Sequence, residues 1–324
     1  MAKVTPGFKV IQAGPQSVLQ DSGRFGYQKL GFANGGPLDA ESYYWAQRLC
    51  GNNAEATAIE ILLGGVVLEA LADTVLAITG AGMSMTINGE RKDLWQAHRI
   101  NTGDKLEIGF TSIGLRSYLA VSGGFDVPEV LGSSSTVVRE EIGGLDGKAL
   151  QAGQILNINT QVSDEILMLA ENDRPKIKES ASAAAAEIEL RVIPGYQFEK
   201  FPHEKRQLFF SATFKVSNRC DRMGYCLNGP DVSSGISNLL SEGICHGAVQ
   251  VPPDGQPIVL LNDRQTIGGY PKLGSVISCD TATLAQCGPG TRVRFSEISV
   301  RQAHAEVLLA NERRERTQLI NLDL

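Results

Sequence analysis

Ala248-Val-Gln-Val-Pro-Pro-Asp-Gly-Gln-Pro-Ile-Val-Leu-Leu261 is the stretch from which the fold is read. Apolar runs flank Pro253-Asp254-Gly255, where Pro presets φ and Gly accepts positive φ, so the stretch predicts a β-hairpin. Met83–Ile87, Asn88-Gly89 and Glu90–Leu94 repeat the pattern, with the Asn-Gly pair of a two-residue turn. Short β-rich runs recur outward from these hairpins. They are Val75–Thr79, Leu106–Ile108, Arg116–Val121, Ile155–Ile158, Leu190–Ile193, Leu208–Phe210, Val276–Ser278 and Arg292–Phe295. Gly accounts for 35 of 324 residues, about 11% against the usual roughly 7%, and 13 are Pro. The expectation is a mainly β fold of barrels or sandwiches, not a helical bundle.

Two helices interrupt the pattern. Asp39 is placed to N-cap Ala40–Cys50, with Gly51 just past the end and Tyr43, Ala46 and Cys50 on one stripe. Ser299 and Gln302 form a capping box for a C-terminal helix, with Val300, Ala303, Val307 and Ala310 on one face.

A chain of 324 residues has room for two or three globular units, and 42% hydrophobic residues can fill a core. The formal charge of −6 argues against sequence-independent nucleic-acid binding, which needs a positive footprint. Met1–Gly14 lacks an apolar leader, and Glu60, Glu69 and Asp73 interrupt the most apolar stretch, Ile59–Met83. Neither a signal peptide nor a membrane helix is expected. Six cysteines without a C-x-x-C fit reduced thiols in a cytoplasmic protein. Four scattered histidines argue against a metal site.

The polar and Ala/Ser-rich run Asn172–Glu189 has the composition of a linker. It divides the chain into an N-terminal β lobe (1–171), a linker (172–189), a C-terminal β lobe (190–298) and a helix with tail (299–324). Three pairs of short echoes suggest that one lobe duplicates the other. They are Val10-Ile11 with Val192-Ile193, Gly26-Tyr27 with Gly224-Tyr225, and Gly103–Leu106 with Gly290–Val293.

Familiar catalytic motifs are missing. Gly144–Ala149 falls short of a phosphate loop, and there is no G-x-S-x-G or H-E-x-x-H. Ala-Met-Lys-Met, the site of covalent biotin, is absent too. Three segments concentrate polar residues and glycines. The densest, Asn262–Pro271, leaves the apolar run Ile258–Leu261. There Asp263 can manage a proton, Arg264 can clamp a carboxylate or phosphate, and Gln265, Thr266 and the amides of Gly268 and Gly269 can donate to an oxyanion. Tyr270 offers a flat face to a ring. The alternative is a hairpin end with an internal Asp263–Arg264 pair. In Asn218–Tyr225, Arg219 and Arg222 suit an anion, or else form a surface ion-pair turn, and Cys220 reads as a bland thiol. In Asp21–Gln28, Asp21 and Arg24 are either a fold-holding pair or a site wall.

In these segments the chain resembles the allophanate hydrolase subunit 2 family, also called the biotin-dependent carboxyltransferase or KipA-like family. The matching stretches are Gln20–Gln28, Gly35–Gly51, Glu60–Gly65, Leu115–Gly124, Asp221–Tyr225, Gly247–Gln256 and Asp263–Pro271. Asp-Arg-Met-Gly-Tyr, Gln-Val-Pro-Pro-Asp-Gly-Gln-Pro and Asp-Arg-Gln-Thr-x-Gly-Gly-Tyr-Pro carry its specificity. Cys220 departs from an expected Ser, and Ile267 from a common Thr, which removes one hydroxyl donor from the loop.

The resemblance implies two cyclophilin-like β-barrel lobes with a few short helices. It also implies a role as the C-type subunit of an ATP-dependent 5-oxoprolinase, a hydrolase active only in complex. The implied partners are a KipI-like B-type subunit and an A-type subunit of the LamB/YcsF kind, which together with this chain cleave 5-oxoproline to glutamate. ATP would be a co-substrate of the complex. Asp263, Arg264, Gln265 and Thr266 would be catalytic. Arg222, Tyr225, Gln250, Gln256, Gly268, Gly269, Tyr270, Asp21 and Arg24 would contact the small cyclic amide. Relatives imply two other roles: carboxyl transfer from a carrier-borne biotin to urea or a similar amide, and non-catalytic antagonism of a kinase inhibitor.

Overall fold

The computed structural model describes residues 4–159, 165–177, 187–236 and 239–323, and the chain in it is mainly β, divided into two units. The first unit comprises Met1–Phe25, Gly35–Ile177 and Thr317–Leu324. Its strands are β1 (Val4–Ala13), β2 (Gln16–Gln20), β3 (Ala58–Leu62), β4 (Val66–Ala70), β5 (Thr74–Ile87), β6 (Glu90–Lys92), β7 (Ala97–Ile100), β8 (Lys105–Val121) and β9 (Ile155–Asn159). They form one nine-stranded sheet in the order β2-β3-β8-β4-β1-β9, with β5 branching from β8 and carrying β6 and β7. Asn88 and Gly89 turn the β5–β6 hairpin with φ of 53° and 81°, the doubly positive turn that suits the twist of paired strands. Phe8, Leu19, Ile59, Leu76, Leu106 and Leu119 build the core on one face. On the other face lies α1 (Ala40–Leu49), capped by Asp39, whose carboxylate accepts from Ser42 N at 3.0 Å. Its stripe of Tyr43, Ala46 and Cys50 packs on Tyr118 and Ala120. A short strand, β10 (Leu167–Met168), takes part of the C-terminal tail as its partner.

The second unit comprises Gly26–Asn34 and Lys178–Arg316. Its strands are β11 (Glu187–Pro194), β12 (Thr213–Cys220), β13 (Gly224–Asn228), β14 (Glu242–Gly243), β15 (Ala248–Gln250), β16 (Ile258–Leu260), β17 (Ile267–Gly268), β18 (Lys272–Val276) and β19 (Arg292–Glu297). Seven of them close a barrel in the order β11-β18-β15-β16-β13-β12-β19, and β14 and β17 pair as a separate ribbon. The hairpin of the opening stretch is the β15–β16 pair, in register through Val249 and Val259. The tail strand paired with β10 is β20 (Ile320–Asn321).

Some local expectations change. Leu208–Phe210 lies in α2 (His203–Ser211), not in a strand. Phe209 there is fully buried and stacks on Phe295 with ring centroids 4.3 Å apart. Three apolar residues alone do not distinguish a strand from a helical turn, and packing decides. Ser278 opens α3 (Ser278–Ala285) instead of ending β18. In α4 (Val300–Arg316) the capping box is present, with Gln302 N to Ser299 Oγ at 3.2 Å and Ser299 N to Gln302 Oε1 at 3.1 Å. Ala303 is buried there but Val300 is 68% exposed, so the predicted apolar face is only partly covered.

The echoes between lobes occupy unlike places. β11 has β19 as a parallel neighbour, whereas β1 lies between two antiparallel ones, and Gly224 opens a strand while Gly26 lies outside any. Half of the expected linker, residues 178–186, lies outside the described residues. Among the described residues no helix is long and apolar enough to cross a membrane.

Candidate functional site

The loop that leaves β16 is zipped to the turn before β13. Leu261 N donates to Met223 O at 2.9 Å and Asp263 N to Arg222 O at 3.0 Å. Asp221 Oδ1 fixes that turn by accepting from Met223 N and Gly224 N. The zipper brings Arg222 and Asp263 together across 41 residues of chain. Arg222 Nε meets Asp263 Oδ2 at 2.9 Å and Nη2 meets Oδ1 at 3.0 Å, with both side chains 7% exposed. The partner of Asp263 is therefore Arg222 and not Arg264, which corrects the internal pair expected for this loop.

Arg264 points elsewhere. Its Nε donates to Ile244 O (3.1 Å), Nη1 to Leu261 O (3.0 Å) and Nη2 to Asn34 Oδ1 (3.2 Å). Gln28 Nε2 also donates to Asn34 Oδ1, at 3.1 Å. Neither Arg222 nor Arg264 is thus the open carboxylate clamp expected from the sequence, because each buried fork is engaged by protein oxygens. His246 lies beside Arg264 and bonds Asn262. Burial, then the Arg264 charge, push its pKa down to about 4 against the opposing pull of Asn262, so the imidazole is neutral at pH 7.

On the outer face of the barrel, cross-strand register aligns Cys226, Ile258, Gln250 and Lys272 in one row. The β14–β17 ribbon connects this row to the Arg264 cluster, because Ile244 N donates to Thr266 O while Ile244 O accepts from Arg264. Gln250 is 1% exposed and its Nε2 has no hydrogen-bond partner among the described residues. A Cβ on Gly268 would stand 2.8 Å from that nitrogen, so the missing side chain is what admits it. Neither Gly268 nor Gly269 has positive φ, and close approach, not backbone handedness, is the reason for glycine at 268. Next in the row, Lys272 Nζ pairs with Glu242, which also accepts from Gln197 Nε2 (2.7 Å) and Tyr196 OH. Gln265 and Thr266 are half-buried and make no side-chain hydrogen bond among the described residues, which leaves them as donors.

The other expected site residues fall in three places. Tyr270 is 46% exposed and, with Gln256, lines an open cleft. Tyr225 is wholly buried in the barrel with its hydroxyl on Ala285 O, so it is a core residue and not a ligand contact. Asp21 and Arg24 belong to the first unit and converge on one serine loop. Asp21 accepts from Ser133 Oγ, Ser135 Oγ and Ser134 N, each at 2.6 Å, and Arg24 donates to the carbonyls of Val130, Ser133 and Ser135. Burial raises the Asp21 pKa, but the bonds from Ser133, Ser135, Ser134 and Gly23 outweigh it, and the carboxyl stays below its ordinary range. These two residues shape a fold-holding knot. Sequence reasoning missed His246, Asn34, Glu242, Lys272 and Gln197. The nearest signal was position, since His246 and Lys272 directly flank the Gly247–Gln256 and Asp263–Pro271 motifs.

The fold and site define a two-lobed, mainly β protein with a buried charged clamp beneath a glycine-bearing loop. Residues 30–297 match the carboxyltransferase domain, subdomains A and B, and the chain belongs to that family. It is 36% identical over 298 residues to the C-type subunit of the Escherichia coli 5-oxoprolinase, covering 91% of this chain and 92% of that one. The corresponding 5-oxoprolinase subunit of Haemophilus influenzae is 32% identical, again over 91% and 92%. Among solved structures the K. lactis urea amidolyase superposes with a TM-score of 0.88 at 26% identity, over 98% of this chain and 20% of that much longer one.

Proposed function

We propose that the chain is the C-type subunit of an ATP-dependent 5-oxoprolinase, a cytoplasmic hydrolase that opens 5-oxoproline to glutamate. It acts with a KipI-like B-type subunit and a LamB/YcsF-type partner, the A-type subunit. One observation carries the reading: the 36% identity to a subunit of that name runs over nearly the full length of both chains. The site chemistry is compatible with it. Opening a lactam places negative charge on the carbonyl oxygen, and preorganised donors stabilise such charge. Gln265, Thr266 and the orphaned Nε2 of Gln250 are donors with unused capacity on and beneath one loop. Asp263, gripped on both oxygens by Arg222, positions the loop instead of carrying a proton. ATP is a co-substrate that activates the amide within the complex.

The test is ATP-dependent glutamate release from 5-oxoproline by the purified subunits, separately and together. The expected result is turnover only when this chain is combined with its partners. Turnover by this chain alone, or an inactive complete complex, would overturn the reading. The likeness to urea amidolyase supports a second reading, carboxyl transfer to urea or a related amide from a biotin carrier on another chain. Carboxylation of urea by this chain with a biotinylated carrier, and no glutamate release, would favour it.

A further inference from the structure

The outer face of the barrel of the second unit holds a cleft of about 370 Å3, in the size range of small-ligand sites. Its floor follows from strand register. Tyr225 and Val259 are paired and fully buried inside the barrel, so their neighbours Cys226 and Ile258, also paired, face outward. Pro252 and Pro253 wall the apolar floor. Around it stand three groups with unused capacity. The exposed guanidinium of Arg219 makes no ion pair or hydrogen bond among the described residues. Gln256 uses its Oε1 to accept from Gly229 N at 2.7 Å, which leaves its NH2 to donate. Tyr270 is 46% exposed at the cleft and presents its ring. Asp254, whose Oδ1 accepts from Gln256 N, supplies one negative charge at the rim.

We propose that this cleft binds a compact planar molecule carrying a single carboxylate. The carboxylate meets the Arg219 fork, the flat face lies against Tyr270 and the two prolines, and Gln256 Nε2 supplies a further donor at the rim. One guanidinium opposed by the Asp254 carboxylate suits a monoanion and disfavours a phosphate dianion. A cyclic amide with a ring carboxylate meets this description. The proposal deepens the reading above, on which the identity of the natural occupant rests, and moves carboxylate recognition from Arg222 and Arg264 to Arg219.

The experiment uses the full chain without its partners. Ligand-observed NMR titrations follow benzoate and 5-oxoproline as probes, with 2-pyrrolidinone as the ring amide lacking a carboxylate. Wild type should bind both carboxylates saturably and 2-pyrrolidinone not at all. Arg219→Gln should weaken binding about tenfold or more, allowing for solvent screening at an exposed site, and Arg219→Lys by less. Tyr270→Ala should weaken both probes. Melting curves should not change, because neither side chain is part of the core. Absence of saturable binding to wild type, or equal affinity in Arg219→Gln, would overturn the site. The same variant in the reconstituted complex should raise KM with little change in kcat. An inactive complex with Arg219-dependent probe binding intact would sink the functional reading alone. An active complex with probe binding indifferent to Arg219 would sink the cleft alone.

Discussion

Replacing Asp263 by Asn removes one charge and leaves the shape. Its cost follows from the partner the structure assigns. The guanidinium of Arg222, 7% exposed, loses the carboxylate that meets it at 2.9 and 3.0 Å. An Asn in the same place can turn only one oxygen toward the fork, and its NH2 then faces an N–H, donor against donor. Breaking one side of a buried pair costs about 3–5 kcal/mol, because the remaining charge stays out of water. At about 2–4 °C per kcal/mol for a unit of this size, a loss of 3 kcal/mol lowers the melting temperature by about 6–12 °C. Calorimetry and denaturant titration read that loss directly. A double-mutant cycle with Arg222→Gln should give a favourable coupling of the two sites, with the double variant less damaged than the sum of the singles. Activity is measured per folded molecule in the complex. A positioning role predicts a lower kcat with an unchanged pH profile, whereas a general base predicts a loss of about 10²–10⁴-fold and the disappearance of one limb of that profile. A variant that melts with wild type, or a cycle without coupling, would refute the pairing argument.

His246 should titrate near 4, and the consequence has a definite sign. Between that value and the unfolded value of about 6.5, the unfolded chain binds a proton that the folded chain refuses. Stability is therefore full above about pH 6.5, falls as pH drops toward 4, and loses no more through this group below it. His246→Gln should flatten that part of the curve, and an NMR midpoint near the unfolded value would contradict the assignment. Gly268→Ala should cost about 1–3 kcal/mol by overpacking, since its Cβ would stand 2.6 Å from Ile244 Cδ1 and 2.8 Å from Gln250 Nε2. Gly269→Ala, whose nearest neighbour is Leu239 O at 3.1 Å, should be milder, and equal melting shifts for the two would refute this ranking.

Elements with local causes were legible in the chain. The Asn88-Gly89 turn, the Asp39 cap and the Ser299–Gln302 box each depend on residues within a few positions of one another, and each stands as expected. Leu208–Phe210 was misread because its conformation is set by Phe295, far along the chain. Closure was also out of reach of local pattern. Both units are built mainly of antiparallel strands, yet among the described residues only the second has a parallel pair, β11 with β19, that joins its first and last strands into a ring.

The site shows the same limit more sharply. Asp263 and Arg264 are adjacent and oppositely charged, which in a sequence reads as one pair. Both stand in a turn closed by Arg264 N on Leu261 O at 3.4 Å, and their side chains leave that turn toward different partners. Here Asp263 faces the turn before β13 and Arg264 faces Ile244 and Asn34. Both forks near the loop are thereby engaged by the protein, and the guanidinium left for a ligand is that of Arg219, on the strand that precedes the Asp-Arg-Met-Gly-Tyr motif. A motif marks residues whose identity is constrained. Buried pairing constrains identity as strongly as catalysis does, since losing either partner strands a charge. The buried arginines of the motifs are thus accounted for by holding the loop. In the proposed cleft, recognition of an anion falls to Arg219, whose guanidinium has no hydrogen-bond or ion-pair partner among the described residues.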